Sequence, residues 1–144
     1  MGLPALIADI EALKAAATDS DQIIYYDSVL IAQHAALRIM ARYEALCREF
    51  LDSCKDEPRC RELQIMADNL AQLQVGAPQT YWQALQLMYC IQFLVWVEGG
   101  YLVPLGRLDR ILQPFMDHDL QAGILAKDFA FELLEACLLY TSPS

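Results

Sequence analysis

Five cysteines, two histidines and one acidic cluster are the side chains of this chain best suited to chemistry. The cysteines are Cys47, Cys54, Cys60, Cys90 and Cys137. A nucleophilic cysteine works as its thiolate, which needs a cation or a helix N-terminus beside it. Cys47 has only Arg48 nearby and falls on an apolar stripe, so it reads as core. No spacing is CxxC, and His34 and His118 lie far apart, so the sequence offers no zinc or iron–sulfur site. An odd number of cysteines without a secretory signal argues against disulfides and for a reducing cytosol. Asp117 and Asp119 flank His118 as a possible carboxylate pair. Two residues apart they do not share a helix face, and they read as solvated rather than as an acid–base pair. His34 sits inside a long helical pattern and reads as a packed or surface histidine. Arg107 and Asp109 read as structural: the Arg at a turn bonding carbonyls or a carboxylate, the Asp in a first helical turn.

The bulk properties exclude several functions. The net charge of -9, with ten scattered basic residues, argues against nucleic acid. Met1-Gly2-Leu3-Pro4 lacks a basic start, and Asp9, Glu11 and Lys14 interrupt any hydrophobic run, so no signal peptide is expected. The hydrophobic fraction of 56% is high for a domain of 144 residues and implies a piece that packs against more protein.

The elements that must position these residues are helices. Leu3, Leu6, Ile7, Ile10 and Leu13 predict a helix over 3–17. Thr18-Asp19-Ser20-Asp21 caps a long one over 22–53, whose stripe Val29, Ala36, Met40, Tyr43, Cys47 and Phe50 is expected to be buried. Glu44 and Arg48 form a pair on its outer side. Pro58 sits near the start of the next helix, which Gly76 is expected to end in a left-handed cap. Thr80 and Gln83 form a weak capping box before a run, Ala84 to Val97, that is apolar on every face apart from Gln86 and Gln92. A membrane span from Ala84 to Leu105 would have to hold Gln86, Gln92, Glu98, two glycines and a proline, so a buried core helix is the reading. Glu98-Gly99-Gly100 stops that helix, and Tyr101 to Leu105 reads as a short extended segment. Leu108 starts a new helical pattern, Pro114 opens a helix closed by Gly123, and Lys127 to Tyr140 is the last helix.

The central stretch also carries a family likeness. Trp82-Gln83-Ala84-Leu85-Gln86, then Gly106-Arg107-Leu108-Asp109, Pro114, Asp119 and Gly123, in that order and spacing, resembles the pyruvate formate-lyase-like glycyl radical enzymes. The likeness covers about residues 24–136 and includes Arg42 to Cys47 and Pro58 to Leu70. It departs at Gly76, where the family usually has proline after the valine.

The resemblance implies a mainly α fold. It would be a helical fragment with at most one or two short strands, from the shell of a larger ten-stranded α/β barrel. Residues 1–140 would be a partial domain, with Gly100 to Leu105 as one barrel strand. It further implies a formate C-acetyltransferase-like enzyme or a related lyase, dehydratase or decarboxylase of anaerobic metabolism, working by thiyl-radical chemistry. The catalytic cysteine and the radical glycine are expected outside this chain, which would then carry no catalytic residue and bind no cofactor or metal. The parent enzyme would need a glycyl radical installed by an activating enzyme that uses S-adenosylmethionine and an iron–sulfur cluster. Its partners would be the remainder of the parent chain, that activating enzyme and a second copy in a homodimer, in the cytoplasm, with no membrane. In dehydratase-like members a His-Ser pair before the Gly-Arg contacts substrate; here Tyr101 and Leu102 hold those places. The final Cys137 to Ser144 resembles translated sequencing adapter, so residues 137–144 read as an artefactual or truncated tail. The alternative is a non-enzymatic helical bundle or interaction module.

Overall fold

The computed structural model describes residues 2–100 and 104–141, with side chains through Leu138. Six helices follow one another among them: α1 (Leu3–Ala16), α2 (Ser20–Ser53), α3 (Glu57–Val75), α4 (Tyr81–Val97), α5 (Leu108–Gln121) and α6 (Lys127–Thr141). No strand occurs among the described residues. Of the expected barrel strand, Tyr101, Leu102 and Val103 lie outside them, and Pro104 and Leu105 are irregular. The chain divides into two units, Met1–Ala77 and Pro78–Ser144.

In the first unit α1 and α3 pack on α2. Asp19 starts α2 by accepting the Asp21 N–H at 3.0 Å, which satisfies one of the free donors of the first turn. Ile7, Ile10 and Leu30 form one apolar cluster, with Tyr26, Val29 and Leu37 packed on it. Met40 and Ala67 are wholly buried, at 0% exposure each. Lys14 of α1 pairs with Asp27 of α2. The expected buried stripe of α2 holds at Ala36, Met40 and Cys47 but not at Tyr43 and Phe50, which are exposed. At 100° per residue those two positions have turned to the far edge of the stripe. The Glu44–Arg48 pair is not on the outer side either. Arg48 also reaches Asp68 at 3.6 Å, and Gln74 donates to Glu44 at 2.7 Å, so the pair faces α3.

Two glycine and cysteine expectations are corrected in this unit. Gly76 is extended (φ -156°), not left-handed. The close approach at this point depends on Gly2: a Cβ there would stand 2.5 Å from the Gly76 carbonyl oxygen. Cys54 and Cys60 are joined as a disulfide, against the expectation of five free thiols. Cys54 caps α2 and Cys60 lies in the first turn of α3, so the short connector brings their Cα atoms to 5.7 Å, within bridging reach.

In the second unit α5 and α6 both pack on α4. Tyr81, Ala84, Leu85, Leu112 and Ala130 are the buried centre, covered by Met88, Phe115, Met116 and Leu133. The α4 run is buried at its start, but Trp96 and Val97 at its end are 54% and 61% exposed. No helix among the described residues is long and apolar enough to cross a membrane. The stop at Gly99 is a left-handed residue (φ +90°), with the Gly100 N–H reaching the Val95 carbonyl. Gly123 (φ +68°) closes α5 in the same way, as expected. Pro114 does not open a helix; it lies inside α5. Proline in a helix interior costs about 3 kcal/mol. Here it deprives the carbonyl of Arg110, an exposed residue that water can serve, while Leu112, Phe115 and Met116 hold the helix to α4.

Non-reducing peptide mapping should recover Cys54 and Cys60 as one linked pair, and reduction should lower stability by about 2 kcal/mol, as for a short closed loop. Cys54 and Cys60 found alkylated in unreduced protein would refute the pairing.

Candidate functional site

The carboxylates singled out in the sequence prove unequal. Asp117 accepts from Gln113 at 2.7 Å on the exposed side of α5. Asp119 is not solvated: its residue is 2% exposed. One of its oxygens accepts the backbone N–H of Tyr81 at 2.7 Å, and the other lies 2.9 Å from Nδ1 of His118. Tyr81 is the first residue of α4, so a negative charge sits on the positive end of that helix and satisfies a donor that has no intrahelical partner. The correction has a plain cause: Tyr81 lies 38 residues away in sequence, and no local pattern announces the contact.

The rest of the α4 start follows the sequence closely. Thr80 accepts the Gln83 N–H at 3.3 Å. Gln83 returns the bond to the N–H of Gln79, at 2.8 Å, one residue earlier than a standard capping box. Tyr81 then reaches across to α6, its hydroxyl donating to the Ala130 carbonyl at 3.3 Å. Trp82 meets Phe129 edge-on at 5.4 Å. Among the described residues the buried Oε1 of Gln92 has no donor.

Arg107 and Asp109 form a two-bond pair at 2.9 and 2.6 Å where the connector enters α5. The hydrogen bond from Arg107 holds the Asp109 carboxyl below its ordinary range and raises the guanidinium in turn. Both are fully exposed, so the pair orders the turn more than it stabilises the fold. Tyr101 and Leu102, the candidate substrate positions, lie outside the described residues.

The free thiols are poorly placed for thiolate chemistry. Burial raises the pKa of Cys47, outweighing the opposing charges of Arg59 and Arg48. Burial also raises Cys137, and it pushes Cys90 up to about 11. His34 bonds back to the Leu30 carbonyl at 2.8 Å within its own helix, which is a structural use. Among the described residues no three His, Cys, Asp or Glu side chains converge as a metal site.

A family model described as pyruvate formate lyase-like matches residues 1–142. The chain belongs to the pyruvate formate lyase-like, glycyl radical enzyme family. It is 37% identical over 112 residues to the (2S)-3-sulfopropanediol dehydratase of Klebsiella oxytoca, covering 77% of this chain and 14% of that one. It superposes on hydroxyproline dehydratase from Clostridioides difficile with a TM-score of 0.87 at 29% identity, covering 99% of this chain and 20% of that one. A glycyl radical enzyme from Archaeoglobus fulgidus gives 0.82 at 26% identity, over 95% of this chain and 18% of that one. Other relatives are named as dehydratases, sulfite-lyases and decarboxylases. The chain therefore spans about a seventh of the length of the first of these enzymes. Within this family the described residues form a helical piece in which Asp119 and the α4 start fix the unit that leads into residues 101–107.

Two outcomes are expected. Asp119→Ala should destabilise the chain by about 2 kcal/mol, because it strands a buried helix donor, whereas Asp119→Asn keeps an acceptor and should cost less. Equal losses in chemical denaturation would show that the bond to Tyr81 is not what matters. The Cys90 thiol holds its proton more tightly folded than unfolded. Its contribution is full below the ordinary value of 9.0 and is lost as pH rises towards about 11. Stability should fall over that window by about 2 to 3 kcal/mol more in the native chain than in Cys90→Ala. Parallel pH profiles would refute this.

Proposed function

We propose that this chain is the helical N-terminal-half part of a glycyl radical lyase, a dehydratase or a carbon–sulfur or carboxyl lyase rather than a formate acetyltransferase. The observation that carries the reading is the family match over residues 1–142 in a chain that covers 14% of its first relative, whose name is that of a dehydratase. The catalytic cysteine and radical glycine lie elsewhere in the parent enzyme. None of Cys47, Cys90 or Cys137 takes the cysteine's place, since each is packed among apolar side chains of this helical shell. This chain alone is inactive.

On this reading the parent enzyme binds no metal of its own. A separate activating enzyme, using S-adenosylmethionine and an iron–sulfur cluster, installs the radical. The enzyme works as a homodimer in an anaerobic cytoplasm. Tyr101 and Leu102 stand at the substrate pocket. Leucine where a serine would donate leaves a polar substrate group unpaired, so the preferred substrate is not a simple diol bound through that pair.

The test is the full-length gene. The reading frame should continue past Ser144 through a cysteine motif to a glycine motif near the end, and anaerobic activation should give the electron paramagnetic resonance doublet of a glycyl radical. An intact gene that stops at Ser144 would sink the proposal in favour of a helical interaction module. In the active enzyme, Tyr101→His with Leu102→Ser should raise turnover of a vicinal diol at least about tenfold; no change would remove the two residues from the pocket.

A further inference from the structure

Two sulfurs lie apart from the α4 start and from both apolar cores. Cys54 and Cys60 are half-buried, and every residue between them, 55–59, is exposed. Cys47 and Cys90, by contrast, are buried. The bridge therefore stands where small molecules in solution reach it. Its two residues are six apart in sequence, with Cα atoms 5.7 Å apart. Cys54 is the C-cap of α2 and Cys60 lies in the first turn of α3, so two helix ends hold the sulfurs in place whether or not they are bonded.

The two helix ends make the sulfurs unequal. Side chains on a helix lean toward its N-terminus, so the Cys60 sulfur lies over the free amides that begin α3, where the partial charge is positive. A thiolate is favoured there. α3 has no side-chain cap to occupy those amides. The carboxylates of its first two turns are paired, Glu57 with Arg61 at 3.0 Å and Glu62 with Arg59 at 2.7 Å. Cys54 stands at the opposite kind of end. The C-terminus of α2 carries partial negative charge, with Asp52 and no basic residue in its last turn. Lys55 and Asp56, which follow Cys54, are both exposed and of opposite sign. The Cys54 sulfur is 3.4 Å from the Asp56 carbonyl oxygen, an acceptor that suits a thiol and not a thiolate.

We propose that Cys54 and Cys60 are a reversible redox site that exchanges with small disulfides and thiols, in which Cys60 attacks first and Cys54 closes the bridge. The Cys60 thiolate attacks one sulfur of a small disulfide. That disulfide bond breaks, and one half leaves as a thiolate. Cys54 gives up its proton to water and attacks the Cys60 sulfur, and the second half leaves. The two cysteines lose two electrons, the small disulfide gains them, and the two protons released end on its thiols. Opening is the same sequence reversed, driven by excess small thiol. Exposed bridges are the labile ones, and a disulfide in a cytoplasm is usually transient or sensing. That cytoplasmic setting rests on the proposed function; the chemistry at the two sulfurs does not.

The test uses the 144-residue chain, reduced and then mixed with oxidised glutathione at neutral pH, with acid-quenched samples read by mass spectrometry. The native chain should pass to the bridged form without accumulating a mixed disulfide. Cys54→Ser should stop at a glutathione adduct on Cys60. Cys60→Ser should form its adduct on Cys54 several-fold more slowly. Excess reduced glutathione should reopen the bridge without denaturant, and the opened chain should keep its helical circular dichroism. A bridge that opens only in denaturant, or a chain that unfolds when it opens, would make the bridge structural and overturn the proposal. Adducts that pile up in the native chain would show that the sulfurs are not held to close. Equal or faster reaction at Cys54 would refute the order of attack. Failure on any of these counts leaves the family reading intact, and a gene that stops at Ser144 leaves the exchange chemistry intact.

Discussion

The second unit depends on one bond, from the backbone N–H of Tyr81 to the carboxylate of Asp119. A charged group taken out of water is costly unless it is paired and hydrogen-bonded. Asp119 meets that requirement with a helix N-terminus on one oxygen and a histidine nitrogen on the other. The same bond orients three helices. It ties the end of α5 to the start of α4, and the tyrosine it fixes carries its hydroxyl to the α6 backbone. The main-chain carbonyl of Asp119 also accepts from Ile124 beyond the left-handed Gly123, so the turn into α6 is set by the same residue.

Each unit has a filled side and an unfilled one. In the first, Met40, Ala67, Leu70 and Leu73 are sealed between helices, while the far side of α2 is bare. In the second, Tyr81, Ala84 and Leu85 are sealed, while Trp96 and Val97 are not. Two half-buried apolar surfaces in so short a chain are the physical counterpart of its 56% hydrophobic content. They fit a helical layer of a much larger enzyme. The raised thiol pKa values fit the same role, because burial that stabilises a layer also keeps its cysteines protonated.

Local chemistry was legible wherever one residue type has one physical use. Thr80 was expected as a cap and is one, and Asp19 is the cap within the stretch Thr18 to Asp21 expected to supply it, because a short side-chain oxygen beside free amides has little else to do. Gly99 and Gly123 end helices because both positions need positive φ. Gly76 misled because a glycine after a helix need not be left-handed: here it is extended, and the glycine that a close approach requires is Gly2. Pro114 misled because a helix opener and an interior proline read alike until packing shows what the helix gains by continuing.

Most of the helices, though not the run of α5 through Pro114, and the family were legible in the sequence, since these follow from periodicity, capping and an ordered set of residues. Only the tertiary structure decided which apolar positions are inside. Tyr43 and Phe50 belong to the same stripe as Met40 and Cys47, yet they turn outward, because 3.6 residues per turn carries a long stripe off a straight contact line. Only the tertiary structure joined Cys54 to Cys60 and buried Asp119 under a helix that starts 38 residues earlier. Distance along the chain carries no information about such contacts. They arise when packed helices bring a donor and an acceptor, or two sulfurs, to the same place.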